Sequence, residues 1–122
     1  MTVLWVFIAG GLGSAARYLV GWWAVAAFGA GFPYGTLIVN LIGSFALGLV
    51  AQLALGGSWS VDMRAAIAAG LLGGFTTYSS FNQETLTMLT GGAAGLAAAY
   101  VAATLLGGLA AGALGMLAAR QF

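Results

Sequence analysis

Cysteine and histidine are absent from the 122-residue chain, and Asp and Glu together number two. Without thiol or imidazole there is no disulfide framework, no thiolate nucleophile, no Cys or His metal centre and no imidazole general base, so most enzyme constellations are excluded. Three basic residues, all Arg, leave a net charge of +1 and no basic run, which is no footprint for the many phosphate contacts of nucleic-acid binding. Charged residues make up 4% of the chain, against roughly 25% in a soluble domain. Water cannot be the solvent of such a surface; lipid can. The opening Met-Thr-Val-Leu-Trp lacks the basic region of a secretory signal peptide and is read as part of the first membrane helix.

What the chain does hold is 62% hydrophobic residues, gathered into four apolar stretches. One crossing takes about 20 apolar residues, so four use nearly all of the chain. They run over about residues 2–28, 36–55, 61–89 and 94–119, and residues 1–122 read as a single integral-membrane domain without internal repeat. The breaks fall where turn chemistry predicts them: Gly29, Gly31 and the only proline, Pro33, then Gly56-Gly57-Ser58, then Gly91-Gly92. Ser60 or Asp62 is positioned to cap the third helix. In hydrocarbon every backbone polar group must be paired internally, which leaves helices or a closed barrel. Long unbroken apolar runs without alternation select helices, so the expected fold is an all-α membrane protein of four transmembrane helices per subunit. The 21 glycines and many alanines permit close helix contact. Thr104, Gly108 and Gly112, at four-residue spacing, read as a packing face of the fourth helix.

With four crossings, Arg64 and Arg120 lie on one side, and the loops on the other side carry no Lys or Arg. That is a small positive-inside bias, compatible with insertion in both orientations. Two copies paired antiparallel would then supply the inverted symmetry that one copy lacks.

Polar residues inside spans are costly and usually face a bundle interior or a wet cavity. Thr36, Asn40 and Ser44 form one stripe on the second helix, and a central Asn carries an amide that its own helix cannot satisfy. The third stretch contains Gly73-Gly74-Phe75-Thr76-Thr77-Tyr78-Ser79-Ser80-Phe81. Paired glycines followed by hydroxyl residues predict a helix broken near its middle, whose freed carbonyls can hold a cation. Tyr78 and Phe81 share a face, and ring edges carry positive potential that an anion can meet. Tyr100 and Thr104 place a further ring and hydroxyl one turn apart. Arg17 and Glu84 are the charges within the spans.

Together, Gly10-Gly11-Leu12-Gly13-Ser14-Ala15-Ala16-Arg17-Tyr18, Gly35-Thr36-Leu37-Ile38-Val39-Asn40-Leu41-Ile42-Gly43-Ser44-Phe45 and the Gly73–Phe81 string resemble the Fluc family of fluoride channels over essentially the whole chain. The third string differs from the commonest family form, which has Phe at the place of Tyr78 and usually Thr at the place of Ser80. The resemblance implies a passive fluoride-selective channel, not an enzyme. Such a channel sits in the cell inner (plasma) membrane as a multi-pass, antiparallel, dual-topology homodimer and lets fluoride leave the cytoplasm. By the same resemblance, Asn40 is a pore amide donor, Phe81 and Tyr78 line the path, and Thr77, Ser80, Tyr100 and Thr104 line or adjoin its polar track. Arg17 and Glu84 fall in the vestibules. A structural Na⁺ at the dimer centre is held by backbone carbonyls of Gly73 and Thr76 from both subunits.

Two other classes bear comparison. A small dual-topology proton-coupled drug exporter needs a membrane-buried carboxylate early in the chain, and the first helix has no acid. A non-transporting assembly subunit would leave the polar constellation around Asn40 without a purpose.

Overall fold

The computed structural model describes residues 1–122 as helices joined by short turns, with no strand. Helix α1 is Thr2–Phe28. It ends where Gly29 takes φ +81°, a left-handed conformation that only glycine adopts at no steric cost. Helix α2, Tyr34–Ala54, starts directly after Pro33, two residues before the sequence-based start, because proline's fixed φ favours helix entry. Helix α3 covers residues 61–75. Ser60 caps it, its hydroxyl accepting from the Met63 amide at 3.1 Å, and eight of its residues, Ala65–Leu72, are wound as a π-helix. Helix α4 is Tyr78–Thr90 and helix α5 is Ala94–Ala119.

The interruption between α3 and α4 falls at Thr76 and Thr77, both extended (ψ 159° and 117°), while Gly73 and Gly74 stay helical. The glycines alone do not break the helix; the hydroxyl residues do, because each satisfies one of the ends it creates. The Thr76 hydroxyl donates back to the Leu72 carbonyl at 2.9 Å. The Thr77 hydroxyl accepts from the Ser80 amide at 3.2 Å and so caps α4.

α1 packs on α3 and α2 on α5, with α4 against α5. Lipid offers no hydrophobic drive between helices, so association depends on close van der Waals approach. Glycine provides it at both seams. A Cβ on Gly13 would strike the Leu71 carbonyl, and one on Gly74 the Gly10 carbonyl. On the other seam Gly48 meets the Gly112 carbonyl and Gly115 the Phe45 carbonyl. The expected packing face of the last helix is thus occupied at Gly112, whereas Thr104 turns to a cavity.

Only 12 of 122 residues are buried, so most of the apolar surface is outward and suits lipid rather than water. α1, α2 and α5 are each long and apolar enough to cross a membrane. On α1, exposed Trp5 stands near one end and Trp22 and Trp23 near the other, about 26 Å apart along the axis. That matches aromatic belts at two interfaces.

Candidate functional site

The stripe on α2 reaches three different elements. Thr36 donates its hydroxyl to Glu84 Oε1 on α4 at 2.7 Å. One turn on, Asn40 meets the break itself: its Nδ2 donates to the Thr77 carbonyl at 3.0 Å and its Oδ1 accepts from the Thr77 amide at 2.8 Å. One turn further, Ser44 lines a cavity shared with Thr104 of α5.

The double bond to Thr77 fixes the Asn40 amide. An N–H must find an acceptor and a C=O a donor, so only one orientation of the amide satisfies both. Its carbonyl is thereby engaged by the Thr77 amide, while the second Nδ2 hydrogen stays free. Asn40 lines the cavity, so that hydrogen is a neutral donor available there.

That cavity, of about 330 Å³, is walled by Asn40, Ser44, Thr76, Thr77, Tyr78, Phe81 and Thr104 among others, and no charged residue contributes to it. Thr104 Oγ1 is buried without any hydrogen-bond partner. A native protein tolerates such an orphan rarely, and here the hydroxyl belongs to a residue of the cavity wall. Phe81 is buried and Tyr78 is 76% exposed; their rings meet edge to face at 5.9 Å and 62°. The Tyr78 hydroxyl bonds to nothing within the chain, and its exposed ring lines the cavity.

A second cavity of about 280 Å³ lies on the α1 side of the break, lined by Ser14, Arg17, Tyr18, Thr36, Thr77 and Ser80 among others. Thr77 therefore walls both cavities. Arg17 and Glu84 do not meet: Arg17 faces this second cavity, whereas Glu84 is held by Thr36 and by the Tyr100 hydroxyl, which donates to Oε2 at 2.6 Å. Tyr100 is completely buried. The stripe on α2, the acid on α4 and the tyrosine on α5, three separate features of the sequence, are thus one hydrogen-bonded set. The Thr36–Glu84–Tyr100 connection has no signal in spacing, because the three belong to different helices.

The break also frees carbonyls. The Thr77 amide that would continue the helical ladder to Gly73 is taken by Asn40, and the Thr76 carbonyl accepts no hydrogen bond within the chain. Hard cations favour such oxygens. No cluster of acidic, His or Cys side chains able to hold a metal exists, so a cation here would depend on backbone oxygen.

Residues 4–116 match the sequence profile of the CrcB-like protein, Camphor Resistance (CrcB) family. Proteins named fluoride-specific ion channel FluC are similar throughout. The one from Anaeromyxobacter dehalogenans is 52% identical over 110 residues, 89% of this chain and 87% of the relative. One from Thermus thermophilus is 48% identical over 106 residues, 87% and 84% of the two chains. That from Sorangium cellulosum is 47% identical over 120 residues, 96% and 93%.

Proposed function

The chain belongs to the CrcB family, and from that premise we propose that it is a fluoride-selective channel that passively exports fluoride from the cytoplasm and so relieves its toxicity. It is a multi-pass membrane protein of the plasma membrane and not an enzyme. The observation that carries the reading is the uncharged cavity at the helix break, where the fixed Asn40 donor, the partnerless Thr104 hydroxyl and the Phe81 and Tyr78 rings converge.

Fluoride is small and strongly hydrated, so a path for it must replace water with hydrogen-bond donors. Asn40, Ser80 and Thr104 supply neutral donors, with Thr77 beside them donating its hydroxyl to Ser80 at 3.1 Å, and ring edges add positive potential. Neutral groups have a further advantage: conduction needs binding strong enough to strip water yet weak enough to release the ion. Arg17 and Glu84 stand at the second cavity and at the Tyr100 end, where they serve vestibules rather than the constriction. Glu84 accepts two hydroxyl bonds and comes late in the chain, whereas a proton-coupled exporter needs its membrane-buried carboxylate early.

The working unit in this proposal is an antiparallel, dual-topology homodimer. A cavity with polar walls cannot stand open to lipid, and a second copy placed on the face bearing Tyr78 would close it. The small Arg bias permits insertion both ways. A structural Na⁺ at the dimer centre fits the Gly73 and Thr76 carbonyls that the break leaves without helical partners. When bound, it would raise the local potential for anions and offset the repulsion of opposed helix ends.

The test is fluoride efflux from liposomes containing the purified protein, read with a fluoride electrode. Rapid fluoride release is expected, and absence of release at high protein density would overturn the reading.

A further inference from the structure

Aromatic contacts run unbroken from the membrane interface to the cavity. Phe28 touches Trp23 and Tyr34, Tyr34 touches Phe32 at 4.8 Å, and Phe32 reaches Tyr100 at 5.3 Å. Tyr100 then meets Phe81 at 5.2 Å. Phe32 is the one ring of this series supplied by a turn. It sits between Gly29, whose positive φ closes α1, and Pro33, which opens α2.

Two rings grip Tyr100 edge to face, Phe81 at 71° and Phe32 at 75°. Its hydroxyl donates to Glu84, whose other oxygen takes the Thr36 hydroxyl. Phe81 and Phe32 both pack against the ring, one from α4 and one from the turn before α2. We propose that Phe32 is a positioning residue of the conduction path. It seats Tyr100 so that the tyrosine hydroxyl stays on Glu84, which holds that carboxylate at the end of the neutral track and out of the anion's way. With Phe32 gone, the Tyr100 ring tilts, Glu84 keeps only the Thr36 bond, and its negative charge gains freedom to swing toward the path and repel the ion.

The inference rests on the fluoride-channel reading, and the experiment separates the two. Fluoride efflux is measured for the wild-type protein and for Phe32→Leu, Phe32→Trp, Tyr100→Phe and the Phe32→Leu/Tyr100→Phe pair, each checked for an unchanged elution profile. An edge-to-face contact sets the scale, and Phe32→Leu is expected to lower flux by about three- to tenfold. Phe32→Trp keeps a ring and retains flux. Because Phe32 acts through the tyrosine hydroxyl, Phe32→Leu has no further effect once Tyr100→Phe has removed it. Independently of flux, the NMR signals of the labelled Tyr100 ring move in Phe32→Leu and stay close to wild type in Phe32→Trp. Wild-type flux in Phe32→Leu, multiplying losses in the pair, or unmoved Tyr100 signals would each overturn the inference. A wild-type protein without fluoride flux overturns the channel reading instead, and the Tyr100 signals still decide whether Phe32 seats the ring.

Discussion

Replacing Asn40 by Asp changes one atom of the clamp on the helix break and reverses its meaning for an anion. In the wild type, Nδ2 donates to the Thr77 carbonyl at 3.0 Å while Oδ1 accepts from the Thr77 amide at 2.8 Å. An ionised aspartate keeps the second bond and loses the first, leaving the Thr77 carbonyl facing an oxygen. An unsatisfied buried carbonyl costs about 1–3 kcal/mol, which reads as a lower unfolding temperature in detergent. The larger effect is on conduction. The free donor hydrogen disappears and a negative charge takes its place on the cavity wall. For an anion passing at ~4 Å, repulsion at an effective dielectric constant of ~20 amounts to about 4 kcal/mol, roughly a thousandfold in occupancy. Fluoride efflux from proteoliposomes should fall to background while the protein still elutes as the wild type does. Efflux within about threefold of wild type, with the protein intact, would refute the assignment of Asn40 as a donor to the permeating ion.

Thr104→Val removes the one buried hydroxyl without a partner. Losing an unsatisfied polar group should leave thermal stability unchanged or raise it by about 1 kcal/mol, whereas fluoride flux should drop, and a parallel loss of both would point to a purely structural hydroxyl. Gly115→Ala drives a methyl into the Phe45 carbonyl; overpacking of this kind costs about 1–3 kcal/mol, visible as a lowered unfolding temperature, and an unchanged one would mean that the α2–α5 seam is looser than described. Exchange of Na⁺ for N-methylglucamine throughout purification and assay should reduce fluoride flux and thermal stability together, and insensitivity to the exchange would remove the Gly73 and Thr76 carbonyls from the proposal. Ser60→Ala loses a helix cap at the membrane surface, costs about 1 kcal/mol of stability and leaves flux unaltered.

The helices were legible in the sequence because lipid imposes a simple rule: apolar runs of crossing length, closed by glycine and proline. Asn40 stood out by the same rule, since an amide amid apolar neighbours must find partners elsewhere. Which partners it finds was not legible. Asn40 and Thr77 are 37 residues apart in sequence, and only the packing of α2 against the break brings them together. The position of the break illustrates the same limit. Gly73 and Gly74 have the weakest helix propensity of the segment, yet they remain helical, because Thr76 and Thr77 can satisfy the ends of a break with their hydroxyls and the glycines cannot. Glu84 reads from sequence as an isolated charge, and it becomes part of a three-helix set only through Thr36 and Tyr100. Phe32, which has no polar atom and lies in a turn, gives no sequence signal at all; its meaning appears with the ring it covers.

Neutral donors and ring edges, with no charged side chain in the cavity wall, are what select fluoride over larger halides in this proposal. A bi-ionic recording tests it most directly, with the purified protein in a planar bilayer, fluoride on one side and chloride on the other. The expected reversal potential lies close to the fluoride equilibrium potential, since a cavity tuned to strip and replace the water of a small anion rejects a larger one. A reversal potential near zero, with equal conduction of both halides, would contradict it.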